Sequence, residues 1–225
     1  MAVKALGILA NGLDEGRKAA IVEAGAVEVL VAVLRAGRPE QEATAQAARA
    51  LGLLASGDEG HIRAAAIVEA GSLEPLVAVM RAGRPEQEAT VDVVVALGFL
   101  ALYEPLRATL RRAGIFEPLA EKLDAPAGAK KGLASNARFK GLAMVAMLYG
   151  EDNTNEAALA LLSRHDASRL AVAALSAALA GKRCPELSSG DSGTYPALEH
   201  VFPQVHAMSV HPKTRDQLME EGAVP

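Results

Sequence analysis

The decapeptide RAGRPEQEAT occurs twice in this chain of 225 residues, at residues 35–44 and again at residues 81–90. The second copy begins 46 positions after the first, and flanking segments repeat with the same offset: AIVEAG at residues 20–25 returns at 66–71, and ALGLLA at 50–55 returns as ALGFLA at 96–101. A period of about 40–47 residues is typical of stacked helical repeats. In such proteins each unit packs on its neighbours, so the duplication predicts a solenoid without a single central core.

Each repeat unit is predicted to contain three helices, which gives an all-α fold class. In the first full unit, a short helix ends at Gly25, where glycine permits a left-handed C-cap. A second helix, over residues 27–34, has helical apolar spacing, and Pro39 blocks its continuation. A third helix is predicted to start around residues 39–42 and to run to residue 55, with a buried stripe that includes Ala47, Ala48, Leu51 and Leu54. The composition agrees, because Ala, Leu and Glu favour helix and only 3% of the residues are aromatic.

The same plan divides the chain into a series of units that together form one solenoid. We predict a partial repeat at residues 1–13, repeats at about 14–57, 58–102, 103–150 and 151–211, and a partial repeat at 212–225. The fourth unit has diverged most: Arg164, His165 and Asp166 stand where the closing glycine is expected. A loop at residues 182–194 is longer than a solenoid connection needs.

Charge and cysteine content limit the classes of partner and compartment. The net charge is −4 with both signs interspersed, which argues against a nucleic-acid surface. Cys184 is the only cysteine, which favours a reducing compartment, the cytoplasm first with the nucleus as the alternative. The longest apolar stretches, residues 93–102 and 170–180, are shorter than the ~20 residues that a membrane span requires.

Motifs that carry chemistry are missing from the sequence. It has neither a GxxxxGK[ST] phosphate-binding loop nor a GxGxxG segment after a strand. The five histidines show no pairing with another His or Cys at a spacing of four that would suit a metal site on one helix face. We therefore expect a protein that is not an enzyme and that has no catalytic residues, cofactor or metal.

The segments IVEAGSLEPLV at residues 67–77 and LMEEGAVP at residues 218–225 resemble the armadillo repeat. The resemblance is strong over about residues 1–123 and again over 206–225. HEAT repeats are the alternative, but their two longer helices lack the glycine break. The armadillo resemblance implies a right-handed α-solenoid whose third helices line a concave groove that binds a protein or an extended peptide.

The groove positions of nuclear-import armadillo proteins can be compared with this sequence one by one. A Trp is expected at the positions of Lys4, Arg49, Val95, Leu142 and His206. An Asn is expected at the positions of Ile8, Leu53, Phe99, Ala146 and Val210. None of the ten matches, so import of basic cargo is not expected. A groove for acidic ligands, as in the catenins, would need a basic row, which Lys4 and Arg49 begin and Asp92 and Val95 interrupt.

The resemblance places the candidate partner-binding residues on the third helices. They are Lys4, Gln46, Arg49, Leu53, Asp92, Val95, Phe99, Leu142 and His206. The large apolar side chain of Phe99 suggests a contact site if it faces the groove. The alternative is that the register differs by one position and that Phe99 belongs to the core.

The function expected from the sequence is that of a non-enzymatic protein-interaction scaffold. The alternative is a fragment or regulatory repeat module of a larger protein, such as a ubiquitin-ligase-associated or vacuole-anchoring armadillo protein. Because the chain starts and stops within a repeat, we also expect uncapped apolar helix faces at its ends, which would favour end-to-end self-association.

Overall fold

The structure, a computed structural model, describes residues 14–57, 59–125, 133, 135–149, 155–182, 184, 205–206 and 212–221. This part of the chain is helical and contains no strand. Its helices are α1 Glu15–Glu23, α2 Ala26–Ala36, α3 Glu42–Leu54, α4 Gly60–Glu69, α5 Leu73–Ala82, α6 Glu88–Ala101, α7 Glu104–Arg112, α8 Phe116–Asp124, α9 Ser135–Tyr149, α10 Glu156–Arg164, α11 Ala167–Leu179 and α12 Pro212–Glu220.

The chain forms two compact units, Met1–Gly132 and Leu133–Pro225. The boundary lies within the third predicted repeat, at residues 103–150, and separates α8 from α9. The sequence reading did not anticipate this division. The proposed repeat boundaries stay a prediction, because the partial repeat at 1–13 and most of the loop at 182–194 lie outside the described residues.

In the first unit, equivalent helices of successive repeats pack on one another. The third helices α3 and α6 make the most extensive contact, while the second helices stack in the order α2, α5, α8 and the first helix α1 contacts α4. The buried stripe predicted on α3 is confirmed, since Ala47, Ala48, Leu51 and Leu54 are at most 1% exposed. Full burial of a leucine side chain stabilises a fold by about 1.5–3 kcal/mol. This stacking confirms the predicted all-α solenoid.

Glycine has a specific role at the end of each short first helix. Gly25, Gly71 and Gly114 have φ values of 78°, 76° and 70°, in the left-handed region that glycine adopts without a steric penalty. At the equivalent point of the diverged unit, Asp166 has φ 49° and is the one non-glycine residue with positive φ among the described residues. Asp is among the few L-residues that tolerate this conformation, so the turn is preserved without its glycine.

The close approach of α3 and α6 depends on small side chains. A Cβ added to Gly52 would stand 3.1 Å from Cα and 3.3 Å from Cβ of Ala96 on α6. A larger side chain at either position would therefore push the two helices apart.

The duplicated decapeptide contributes two contacts in each copy, and the first shapes the loop before the third helix. The side-chain oxygen of Gln41 accepts a hydrogen bond from the backbone N–H of Arg38 at 2.8 Å. Gln87 accepts from the backbone N–H of Arg84 at 2.6 Å. These bonds close the same turn twice, immediately before α3 and α6.

The second contact of the decapeptide links each repeat to the next. Arg35 donates from Nη2 to the carbonyl oxygen of Gly71 at 3.5 Å, and Arg81 donates in the same way to Gly114 at 3.5 Å. Both bonds are long and exposed, so each contributes little energy. They orient the two arginine side chains along the glycine turn of the following repeat.

A partly buried ion pair joins the first helices of the first two full repeats. Arg63 on α4 is 3% exposed; its Nη2 lies 2.6 Å from Glu15 Oε2, and its Nε donates to the carbonyl of Leu54 at 2.6 Å. Lys18 Nζ lies 3.0 Å from Glu15 Oε1. Burial alone would raise the pKa of Glu15, but the hydrogen bonds from Arg63 and Lys18 outweigh it and lower this pKa to about 2.

In the second unit, α9 contacts α10 and α11, and α11 contacts α12. Helix α9 spans Ser135–Tyr149. Residues 141–148 of α9 are all buried, which is the behaviour of a helix that is apolar around most of its circumference. Nη2 of Arg138 on this helix lies 2.6 Å from Nδ1 of His165.

Candidate functional site

The third helices of the first unit carry one accessible face each, and the two faces adjoin. Beyond its first two residues, Glu42 and Ala43, α3 is buried except at Gln46, Arg49 and Leu53. On α6 only Glu88, Val91 and Val95 escape burial. These spacings of three and four residues place each set on one side of its helix. We call the set Gln46, Arg49, Leu53, Glu88, Val91 and Val95 the third-helix face.

Arg49 connects the two helices across this face. Its Nε donates to Asp92 Oδ1 at 3.2 Å, and its Nη2 lies 3.0 Å from Asp92 Oδ2 and 2.7 Å from Glu88 Oε1. The guanidinium therefore contacts both oxygens of one carboxylate and one oxygen of another, a geometry for which arginine is suited. Because α3 and α6 contain no other cationic residue, the face has no unpaired positive charge.

The environment of Asp92 is electrostatically unfavourable for a carboxylate. Its side chain is only 10% exposed, and Oδ2 has no hydrogen bond with a described residue although Arg49 Nη2 lies 3.0 Å away. Burial raises the pKa of Asp92 to about 6; the ion pair with Arg49 opposes this rise, and the negative charge of Glu88 adds to it. For Arg49, burial works against the charged form, but Asp92 and Glu88 raise its pKa.

Apolar side chains stand beside this ion-paired cluster. Leu53, Val91 and Val95 are partly exposed, so they offer aliphatic surface to a partner. Phe99 and Asp92, which the sequence analysis placed on the same face, are 8% and 7% exposed. Phe99 therefore lies in the core, as the alternative reading of the sequence proposed, and Asp92 acts through Arg49 and offers little surface of its own.

Three candidate residues, Leu142, His206 and Lys4, belong to other parts of the chain. Leu142 on α9 has no exposed surface, and residues 141–148 around it are all buried. His206 is exposed and belongs to the second compact unit. Lys4 lies outside the described residues.

Two residues of this face were missed in the sequence analysis. Glu88 in the second copy of the decapeptide is equivalent to Glu42 in the first copy, and Val91 follows Glu88 by about one helical turn. The signal for both was the spacing to Val95, because residues three to four positions apart share a helix side. The ion pair itself could have been found from opposite charges at Arg49 and Asp92 on stacked helices.

Among the described residues, no three His, Cys, Asp or Glu side chains are grouped so that they could hold a metal ion. None of the described helices is both long enough and apolar enough to cross a membrane.

Three engineered proteins are among the solved structures to which the chain is similar. A designed armadillo repeat protein has a TM-score of 0.60 and 21% identity, and the match covers 99% of this chain and 81% of that protein. Two engineered structural-genomics targets both have a TM-score of 0.59, with 22% and 23% identity; the matches cover 98% and 99% of this chain and 46% and 78% of theirs. No family model and no curated protein matches the chain. At these identities the likeness shows the fold alone, which is an armadillo-like repeat fold.

Proposed function

We propose that this armadillo-like repeat protein is a non-enzymatic scaffold that holds a peptide or a segment of another protein on its third-helix face. The observation that supports this proposal is the Arg49 cluster with Asp92 and Glu88, which connects α3 and α6 beside accessible aliphatic side chains. A surface whose side chains are already fixed loses less conformational entropy when a partner binds. The proposed concave shape of the groove comes from the family resemblance.

The charge of the face indicates how a partner would be held. Since two carboxylates compensate Arg49, the face does not offer a basic row to an acidic ligand. Binding would depend mainly on apolar contacts at Leu53, Val91 and Val95, with Gln46 available for hydrogen bonds to a peptide backbone. We therefore expect an affinity that changes little with ionic strength.

We further propose that the scaffold acts inside the cell. Cys184 is buried and is not part of a disulfide, and a chain with one cysteine cannot form an intrachain disulfide. This content is compatible with a reducing compartment.

The proposal is tested by affinity capture from an extract of the source cells with three forms of the full chain as bait. The face variant is Leu53→Gln/Val95→Thr, which makes the aliphatic surface polar and leaves the Arg49 cluster intact. The matched control, Ile62→Gln/Val29→Thr, makes the same chemical changes at residues that are 62% and 51% exposed on α4 and α2.

Proteins that bind wild type and the control but not the face variant would support the proposal, once circular dichroism shows equal helicity of all three baits. Proteins retained equally by all three would place the binding surface elsewhere and contradict it.

A further inference from the structure

A pocket lies on the second helices of the first unit, and its lining residues differ from those of the third-helix face. A pocket of about 370 Å³ opens between the C-terminal end of α2, the loop that follows it and α5. This volume lies within the range of about 300–1,000 Å³ that is typical of ligand sites. The pocket is lined by the apolar residues Leu34, Pro39, Pro75, Ala78, Val79 and Ala82.

The polar residues of this pocket are asymmetrically distributed. Arg35 and Arg38 line the side formed by α2 and its loop, and Glu74 lines the side formed by α5; all three are exposed. The guanidinium of Arg38 makes no ion pair or hydrogen bond with any described residue, and that of Arg35 makes only the 3.5 Å bond to the Gly71 carbonyl. Two cationic groups with free donors therefore stand beside an apolar floor.

This combination is complementary to one kind of ligand. A guanidinium presents paired N–H donors that match the two oxygens of a carboxylate. Glu74 would repel a second carboxylate on the opposite side, so the negative group is directed toward α2. The floor between them accepts an aliphatic side chain and excludes water from it.

We propose that this pocket docks a short segment of a partner protein that carries a carboxylate next to an aliphatic side chain. The carboxylate binds Arg38, with Arg35 as a second donor, and the aliphatic side chain lies on the floor at Ala78 and Val79. The lining of this pocket and the third-helix face share no residue, so substitutions can test each surface separately.

The second copy of the decapeptide provides an internal comparison. There, Arg84 Nε lies 3.1 Å from Glu86 Oε1, so the equivalent guanidinium already has an anionic partner. In the first copy, Glu40 occupies the place of Glu86 but forms no ion pair with Arg38. The free guanidinium is therefore a property of the first copy, and Arg84 is the matched control position.

The test uses a random heptapeptide phage library selected on the full wild-type chain. Enriched peptides are synthesised, and their Kd is measured by fluorescence polarisation with wild type, Arg38→Glu, Arg84→Glu and Ala78→Trp. The last variant fills the pocket from the exposed Ala78 without altering charge. Circular dichroism establishes that each variant has the helicity of wild type.

We expect enriched peptides with Asp or Glu adjacent to Leu, Ile or Val. Their Kd should rise by about tenfold or more with Arg38→Glu and with Ala78→Trp, and by less than about twofold with Arg84→Glu. Their affinity should fall as NaCl is raised, since the carboxylate contact is exposed to solvent. The Leu53→Gln/Val95→Thr variant should bind them as wild type does.

The proposal is overturned if no peptide is enriched, if the enriched peptides lack a carboxylate, or if Arg38→Glu and Ala78→Trp bind them as tightly as wild type. Peptides whose binding is lost only in the Leu53→Gln/Val95→Thr variant would likewise overturn it, and would support the third-helix face instead.

Discussion

Arg49 Nη2 on α3 lies 3.0 Å from Asp92 Oδ2 on α6, and the same nitrogen lies 2.7 Å from Glu88 Oε1. One arginine thus compensates two carboxylates, one of them almost fully buried, at the boundary between two stacked repeats. The contact has two consequences. It fixes the relative position of α3 and α6, and it removes the only positive charge of these helices from the surface that we propose for partner binding.

The first prediction concerns the loss of this arginine. Arg49→Gln removes the compensation of the buried Asp92, so we expect the free energy of unfolding to fall by about 1–3 kcal/mol at pH 7. The double variant Arg49→Gln/Asp92→Asn should recover most of this loss, because no buried charge remains. Urea unfolding of the two variants measures the effect; equal stability of Arg49→Gln and wild type would contradict it.

The second prediction is a pH dependence that originates from Asp92. Its pKa is raised from 3.8 to about 6 in the folded protein, so between these pH values the folded state binds more protons at this site than the unfolded state. The contribution of Asp92 to stability must therefore fall as pH rises from about 4 to about 6, with a slope of at most about 1.4 kcal/mol per pH unit. Asp92→Asn should abolish it.

Urea midpoints of wild type and Asp92→Asn, measured from pH 4 to pH 7, give this contribution as a difference. Taking the difference cancels the titration of every group that the two proteins share. The free energy of unfolding of Asp92→Asn minus that of wild type should increase as pH rises from about 4 to about 6. A constant difference would show that Asp92 titrates alike in the folded and unfolded states.

The third prediction has the opposite sign and concerns Glu15. Its pKa is lowered from 4.5 to about 2 because hydrogen bonds from Arg63 and Lys18 outweigh the effect of burial. The stability that this carboxylate contributes is present above pH 4.5 and is lost as pH falls toward 2. Glu15→Gln should therefore unfold less steeply with acid than wild type does, as followed by circular dichroism between pH 5 and pH 2. If Glu15→Gln and wild type unfold equally steeply with acid, the Glu15 carboxylate does not contribute this stability.

The fourth prediction uses the left-handed turn between α10 and α11. Asp166 adopts φ 49° there, whereas the equivalent positions hold glycine. We expect Asp166→Gly to be more stable than wild type and wild type to be more stable than Asp166→Ala. Asp166→Ala should be lower than Asp166→Gly by about 1 kcal/mol, because alanine lacks glycine's freedom at positive φ and tolerates this region less well than Asp does. Its 3.9 Å contact with Arg169 is exposed and contributes little. If Asp166→Ala is as stable as Asp166→Gly, backbone strain at residue 166 does not determine the stability of this turn.

Much of the first unit could be predicted from the sequence because its repeats are nearly identical there. The third-helix stripe of Ala47 and Leu51 and the break at Gly71 follow from local rules of helix periodicity and backbone sterics. The end of the short helix in the diverged unit was also marked correctly, at residues 164–166, although the residue that replaces glycine there could not be singled out.

Other features could not be predicted, because they depend on contacts between repeats that differ in sequence. Aligning Leu142 with Arg49 assumed that every third helix has the same surroundings, but α9 is apolar on nearly every side and buries Leu142. The aligned position of Leu53 holds Phe99 in the next repeat, and the larger side chain is buried. Arg84 forms an ion pair with Glu86, whereas Arg38 in the first copy forms none with any described residue. Because the two decapeptides are identical in sequence, this difference could be seen only in the structure.

The most direct test of partner binding on the third-helix face is site-specific photo-crosslinking with a bound partner. A benzophenone amino acid is placed at Gln46 on α3 in one protein and at Ile62, which is 62% exposed on α4, in another. Partners captured by the wild-type chain are then crosslinked, and the attachment sites are read by mass spectrometry. We predict that one continuous partner segment crosslinks from Gln46 and not from Ile62. Crosslinks from Ile62 with none from Gln46 would show that the third-helix face does not bind the partner.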